Sequence, residues 1–153
     1  MRGVTTQEVL RMKAALFVDP EAPRATPDEP LASVVEKVRS HPDHTVLVVD
    51  TSNKLVGVIS DQDLLAALSD AALAEKIQKG EATAGDLMKP LTPDADTVAQ
   101  SSDEIEDVIA KLRGENAEQR PFKVVPLVDG SGSVVGQVTR SSIQRALDDL
   151  LTD

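Results

Sequence analysis

The segment Gly57-Val58-Ile59-Ser60-Asp61-Gln62-Asp63 concentrates residue types that can do chemistry, and the chemistry is non-covalent binding. Apolar residues lead up to Ser60 as a strand, and a helix pattern begins at Asp61, so Ser60 stands at a helix start. There its hydroxyl and the unpaired N–H groups of the first turn can meet an anion. Asp63 is an acceptor-only carboxylate that can take hydrogen bonds from two neighbouring hydroxyls. Gly57, lacking a side chain, lets another molecule come close to the strand. The same residues also answer a local need. Ser60-x-x-Asp63 is the pattern of a helix cap with an acidic third residue, and Asp61 and Asp63 suit the positive end of the helix dipole. Those two acids repel an anion unless a cation offsets them.

A second segment, Gly136-Gln137-Val138-Thr139-Arg140-Ser141-Ser142, keeps the hydroxyl at Thr139 and carries Ser142 where the first has Asp63. Arg140 adds a guanidinium at the helix start, suited to a phosphate or to an acid such as Asp103. Arg120 and Lys123 precede the second strand, Arg120 in a loop and Lys123 next to the first apolar residue.

Other constellations are thin. His41-Pro42-Asp43-His44 offers two imidazoles and a carboxylate, but a proline in a helix-to-strand loop does not fix a metal geometry, and the stretch reads as a loop. Asp94/Asp96 and Asp148/Asp149 read as solvated surface rather than paired catalytic carboxylates. There is no Ser-His-Asp arrangement, phosphate-cradling P-loop or GxGxxG. No residue set here activates a nucleophile or a water, so an enzyme is not expected, nor a required cofactor.

Composition narrows the partners. The 153 residues contain no cysteine, which excludes disulfides, thiolate metal sites and cysteine nucleophiles. The net charge of −10 disfavours a phosphate backbone, so nucleic acid is not an expected partner. Phe17 and Phe122 are the only aromatics, so a planar ligand has to lie between aliphatic side chains. No apolar run reaches the roughly 18 residues of a membrane span, and no signal core follows the N-terminus, so a cytoplasmic location is expected. Met1 at the start and the chain end soon after the last helix lead us to expect a complete small protein.

These residues are positioned by an internal repeat. The stretch Thr45–Leu68, TVLVVDTSNKLVGVISDQDLLAAL, lies without a gap over Val124–Leu147, VVPLVDGSGSVVGQVTRSSIQRAL. Upstream, Leu31, Val34, Val35 and Val38 fall on Ile105, Val108, Ile109 and Leu112, with extra loop in the second copy around Glu118 to Phe122. The spacing of those apolar residues predicts an amphipathic helix, with Pro27 and Pro30 at its start in the first copy and Ser102 or Asp103 capping it in the second. Val46–Val49 predicts a strand ending at Asp50, then a turn over Thr51–Lys54, a strand over Leu55–Ile59 and a helix over Asp61–Leu68. Each unit therefore reads helix–strand–turn–strand–helix. A leading helix is expected from Thr5 to Phe17, and a partly helical linker over Ala71–Gln78 that breaks at Gly80.

VVDTSNKLVGVISDQDLL, followed by GDLMKP and VVPLVDGSGSVVGQVTRSSI, resembles the CBS (cystathionine-β-synthase) domain over residues 14 to 150. The resemblance implies a mixed α/β (α+β) fold. Two repeats, each a small sheet with two packed helices, would be related by a pseudo-twofold axis as a Bateman module. The expected division is an N-terminal helix over 1–17, repeat 1 over 18–69, a linker over 70–85 and repeat 2 over 86–150. It further implies a non-catalytic regulatory module, a homodimer that binds AMP, ADP, ATP or S-adenosylmethionine between repeats and signals to a protein partner. In such a site Gly57, Ser60 and Asp63 would carry ribose and phosphate recognition, and Val46, Val58 and Ile59 would sandwich the adenine. Thr139 and Arg140 would serve a second cleft, which lacks the carboxylate at Ser142. A ligand-free CBS dimerisation or protein-interaction module is the alternative.

Overall fold

The computed structural model describes residues 5–113 and 124–151; the notable residues Arg120, Lys123 and Phe122, and the extra loop around Glu118, lie outside the described residues. In chain order the elements are α1 (Thr6–Leu10), a 3-10 turn (Ala14–Phe17), β1 (Arg24–Ala25), α2 (Leu31–Ser40), β2 (Thr45–Val49), β3 (Leu55–Ser60), α3 (Asp61–Leu68), α4 (Ala71–Gln78), α5 (Ala84–Leu87), β4 (Lys89–Pro90), β5 (Ala99–Gln100), α6 (Ile105–Arg113), β6 (Val124–Val128), β7 (Val134–Thr139) and α7 (Arg140–Leu151). The fold is mixed α/β, with two small sheets. It divides into two compact units, Ala22–Pro93 and Met1–Glu21 with Asp94–Asp153.

In the unit Ala22–Pro93 the sheet runs β1-β2-β3-β4, with β1 parallel to β2 and the other pairs antiparallel. Pro30 precedes α2 with φ −61°, and the basic Lys37 and Arg39 fall in the last turn, where they suit the negative helix end. Val34 and Val38 of α2 are buried against Val46 and Val48 of β2 and Ile59 of β3. The β2–β3 turn is built by Asp50, whose Oδ1 accepts the N–H groups of Ser52 and Lys54 at 2.8 and 3.0 Å. Asn53 takes φ 64°, which its short polar side chain tolerates.

The other unit repeats this plan. Its sheet runs β5-β6-β7, and α6 buries Ile105, Val108 and Leu112 with Val125, Leu127 and Val138. Asp129 builds the turn as Asp50 does, through Ser131 and Ser133, and Gly132 at φ 87° stands where Asn53 does. Both sheets carry a register shift at equivalent positions, Val48/Val49 and Leu127/Val128.

The structure departs from the sequence reading in three places. The leading helix over Thr5–Phe17 is interrupted after Leu10. Instead of continuing the spiral, the backbone bonds to the start of α6: Ile105 N–H donates to Met12 O at 2.8 Å and Ala14 N–H to Asp103 O at 2.7 Å. The residue before α6 is Glu104, and Asp103 accepts the Gln100 N–H at 2.9 Å, closing the turn after β5 rather than capping the helix. Finally, the helix–strand–turn–strand–helix reading of each unit leaves out the short strands β1, β4 and β5, two residues each.

The segment Ala14–Pro20 (AALFVDP) parallels Ala84–Pro90 (AGDLMKP). In one unit the 84–90 segment supplies α5 and β4, which pairs with β3 at Gly57↔Pro90 and Val58↔Lys89. In the other, the 14–20 segment supplies the 3-10 turn and an antiparallel bridge from Asp19 to Gln137 of β7. Each sheet is thus extended by a stretch that precedes the opposite repeat in sequence, which is why residues 1–21 belong with the C-terminal half.

Helix α5 starts at a reciprocal cap in which the Thr83 N–H and hydroxyl donate to Asp86 Oδ2 at 3.0 and 3.3 Å, while Lys76 Nζ lies 3.2 Å from Oδ1. The Thr83 N–H lowers the Asp86 pKa from its ordinary 3.8; partial burial opposes this and Lys76 adds to it. A depressed carboxyl supports folding fully above its unfolded value and ceases to do so as pH falls through the folded one. Asp86→Asn is therefore expected to cost stability near neutrality and to flatten the acid limb below pH 3.8. Urea unfolding of both proteins from about pH 2 to 7 checks this, and parallel profiles would remove Asp86 from the acid response.

Candidate functional site

Strand β3 ends at Ser60, which caps α3. The Ser60 N–H donates to Asp63 Oδ2 at 2.8 Å, the Ser60 hydroxyl lies 3.1 Å from the same oxygen, and the Asp63 N–H points back at Ser60 Oγ at 3.4 Å. Asp63 is 9% exposed, and its other oxygen lies 3.5 Å from the Lys89 ammonium, whose side chain is 70% exposed. The cap drawn from sequence is thus present, and a cation stands beside it that sequence reasoning missed. Lys89 was within the quoted GDLMKP, but its place on a two-residue strand next to β3 gave no periodic signal.

Strand alternation separates the remaining expected residues. Leu47, Val58 and Lys89 form one cross-strand row, so they share a sheet face with Ser60, two residues along β3. Val46 and Ile59 form the adjacent pair and point the other way, fully buried with Val34 and Val38. The expected sandwich of Val46, Val58 and Ile59 is therefore split: Val58 stands on the Ser60 face, while Val46 and Ile59 are core. Gly57 is also reassigned. A Cβ there would lie 2.7 Å from Met88 Sδ and 2.9 Å from Lys89 O, so the close approach that Gly57 permits is that of the β4 segment, not of a ligand.

In the other unit Thr139 and Ser142 replace the serine–aspartate cap. Thr139 N–H donates to Ser142 Oγ at 2.9 Å, Ser142 N–H to Thr139 Oγ1 at 3.0 Å, and the Ser142 hydroxyl to Thr139 O at 3.0 Å; both residues are buried. Ser142 spends its oxygen and its proton within this turn and leaves no carboxylate for a diol. Arg140 opens α7 and is exposed, and among the described residues it makes no ion pair with Asp103. The row matching Leu47–Val58–Lys89 is Pro126–Gln137–Asp19, so the cation of one unit is a carboxylate in the other.

In the loop 41–44 the two histidines turn to different partners. His41 Nδ1 accepts the Asp43 N–H at 3.2 Å, whereas His44 Nδ1 lies 3.0 Å from Val38 O. Among the described residues no helix is long and apolar enough to cross a membrane.

The family model of the CBS domain matches residues 14–70 and 84–149. The chain is 30% identical over 142 residues to inosine-5'-monophosphate dehydrogenase of Nitrosopumilus maritimus, covering 92% of this chain and 26% of that enzyme. It is 32% identical over 161 residues to the CBS domain-containing protein CBSX1, chloroplastic, of Arabidopsis thaliana, covering 93% of this chain and 63% of that protein. The chain thus spans about a quarter of the first relative and under two thirds of the second. The crystal structure of CBSX2 in complex with AMP superposes with a TM-score of 0.70 at 27% identity, covering 92% of this chain and 98% of that one.

Proposed function

We propose that this chain, which belongs to the CBS domain family, is a non-catalytic regulatory module that binds an adenosine-containing ligand, AMP, ADP, ATP or S-adenosylmethionine, and passes its occupancy to a protein partner. The observation that carries this is the cluster of Ser60, Asp63 and Lys89 on one face and edge of the first sheet. An acidic helix start alone would repel a phosphate, and Lys89 supplies the offsetting charge. Its exposed ammonium can leave the Asp63 carboxylate for a phosphate, as a charge-assisted contact. Asp63 is then free to turn Oδ1 toward a ribose diol while Oδ2 stays on the cap. Val58, on the same face, offers the aliphatic surface for a purine that a chain so poor in aromatics requires. The likeness to CBSX2, solved with AMP, supports the choice of ligand. A cytoplasmic, homodimeric protein that works without a required cofactor completes the proposal.

Calorimetry with AMP, ATP and S-adenosylmethionine tests it. Asp63→Ala is expected to weaken nucleotide binding by about tenfold or more, the loss of a charged hydrogen-bond acceptor. Lys89→Ala is expected to weaken AMP by a few-fold and to reduce the salt dependence of binding. Wild-type protein that takes up no nucleotide at millimolar concentration, or an Asp63→Ala variant that binds as wild type, would overturn the reading. One observation favours the alternative of a ligand-free interaction module: Leu65 and Leu68, three apart on α3, are 68% and 62% exposed. Under that alternative the face is covered by a second copy, and sedimentation reports a dimer that AMP does not alter.

A further inference from the structure

Helix α3 leaves one face uncovered. Leu65 and Leu68 are 68% and 62% exposed, and with the exposed Asp61 they stand at i, i+4 and i+7, a single stripe along the helix. The stripe is graded, acidic where α3 starts and apolar toward its end. The other unit carries a surface graded the opposite way. Between α6 and α7 lies a groove of about 340 Å³, lined by Ile109, Leu112, Arg113, Arg140, Ile143 and Gln144. Arg113 closes α6 and Arg140 opens α7, so both guanidiniums stand at one end of the groove, and both residues are exposed. Ile109 lies one turn back along α6 and Ile143 one turn on along α7, which makes the rest of the groove apolar. The repeat lays Asp61 over Arg140, so the same helix starts with opposite charge in the two units. In a chain of net charge −10, two arginines beside one apolar floor are a local reversal of sign.

We propose that a second copy of this chain covers both surfaces: α3 of one copy lies in the α6–α7 groove of the other, with Asp61 against Arg113 and Arg140 and with Leu65 and Leu68 on Ile109, Leu112 and Ile143. Charge decides which surfaces meet. Two grooves face to face would gather four arginines, and two α3 stripes would gather acids. The unlike pair sets each acid beside arginines and lays leucine on isoleucine in one register. A twofold axis makes the contact twice in one closed dimer, because each copy lends a stripe and receives one. The inference rests on the homodimer reading above and names the surfaces that meet. Ser60 and Asp63 cap the same helix, so the nucleotide site and the dimer contact share one element.

The test is sedimentation equilibrium of the full chain in a charge-reversal cycle. Asp61→Arg and Arg140→Asp are each expected to weaken the dimer by about tenfold, and the double variant to associate more tightly than either single one. Both positions are exposed, so the variants are expected to melt with wild type. Under a pairing of like surfaces each single reversal leaves like charges facing like, and nothing is lost or regained. The chain has no cysteine, so a disulfide forms only where cysteines are introduced. Leu65→Cys mixed with Gln144→Cys is expected to give chiefly the mixed disulfide on oxidation, identified by its mass. Single reversals that associate as wild type, or Leu65→Cys linking chiefly to itself, would overturn the inference and leave the homodimer reading standing. Wild type that sediments as a monomer even at millimolar concentration would overturn both.

Discussion

Replacing Gly136 with alanine is expected to destabilise the protein by about 3 kcal/mol, the upper range for an added methylene in a packed site. A Cβ there would lie 2.3 Å from Asp19 O and 3.0 Å from Asp19 C, with Val18 Cγ2 at 2.8 Å. The obstacle is backbone, and that backbone is pinned by hydrogen bonds in both directions between Asp19 and Gln137. Relief requires breaking the bridge that ties the N-terminal segment to β7. Gly57→Ala probes the equivalent position in the other unit, where the nearest atom is the flexible Met88 Sδ at 2.7 Å and the backbone oxygen of Lys89 stands at 2.9 Å. It is expected to cost less, about 1 to 2 kcal/mol. For a chain of this size the difference is a few degrees in Tm, and thermal melting of the two variants measures it. A Gly136→Ala protein that melts with wild type, or above Gly57→Ala, would show that the N-terminal segment does not lie against β7.

The consequence for function is that Gly57 and Gly136, three residues before Ser60 and Thr139, each make room for another stretch of the chain. The sequence pattern suggested an open approach for a ligand, and the approach is taken by the chain itself. The pattern could not reveal this, because the approaching stretches are short, the two-residue β4 at Gly57 and a single bridge at Asp19 beside Gly136, and both lie far from their partners in sequence. Periodicity needs several residues to register, so β1, β4 and β5 were invisible while the elements of the ungapped Thr45–Leu68 repeat were legible to within a residue. The equivalence of residues 14–20 and 84–90 could be seen only by laying AALFVDP over AGDLMKP, a likeness carried by the buried alanines Ala14 and Ala84 and a shared proline.

The candidate site was legible to a similar depth. Ser60 and Asp63 came from local chemistry, and the cap they form is as read. Val46 and Ile59 were misplaced because adjacent strand residues were grouped as one wall, although period-two alternation sends Val58 and Ile59 to opposite faces. Lys89 supplies the site's positive charge and was passed over. Only the pairing of β4 with Val58 brings Lys89 to Asp63.

Phe17→Ala is expected to cost about 3 to 5 kcal/mol, the largest effect of any substitution considered. Phe17 is 1% exposed and sits with Ala14 in the core formed by α6, β6 and β7, although it lies about 90 residues before α6 in sequence. The small neighbours Ala14 and Ala99 cannot refill the space of a phenyl ring, so most of the cavity persists. At the equivalent place in the other unit Leu87 is 7% exposed in a small cluster with Ala67 and Ala82. Leu87→Ala removes less area from a site nearer solvent and is expected near the lower end for such truncations, about 2 kcal/mol. Denaturant unfolding ranks the two variants, and hydrogen exchange locates the damage. In Phe17→Ala protection should fall first in β6, β7 and α6, with β2 and β3 following only at global unfolding. If exchange instead accelerates only within residues 5–17, the N-terminal segment is an appendage and the division into compact units is wrong. If β6 and β7 lose protection, a residue near the start of the chain is a core element of the unit built from its C-terminal half. The face that presents Gln137 and Thr139 would then depend on it for its shape.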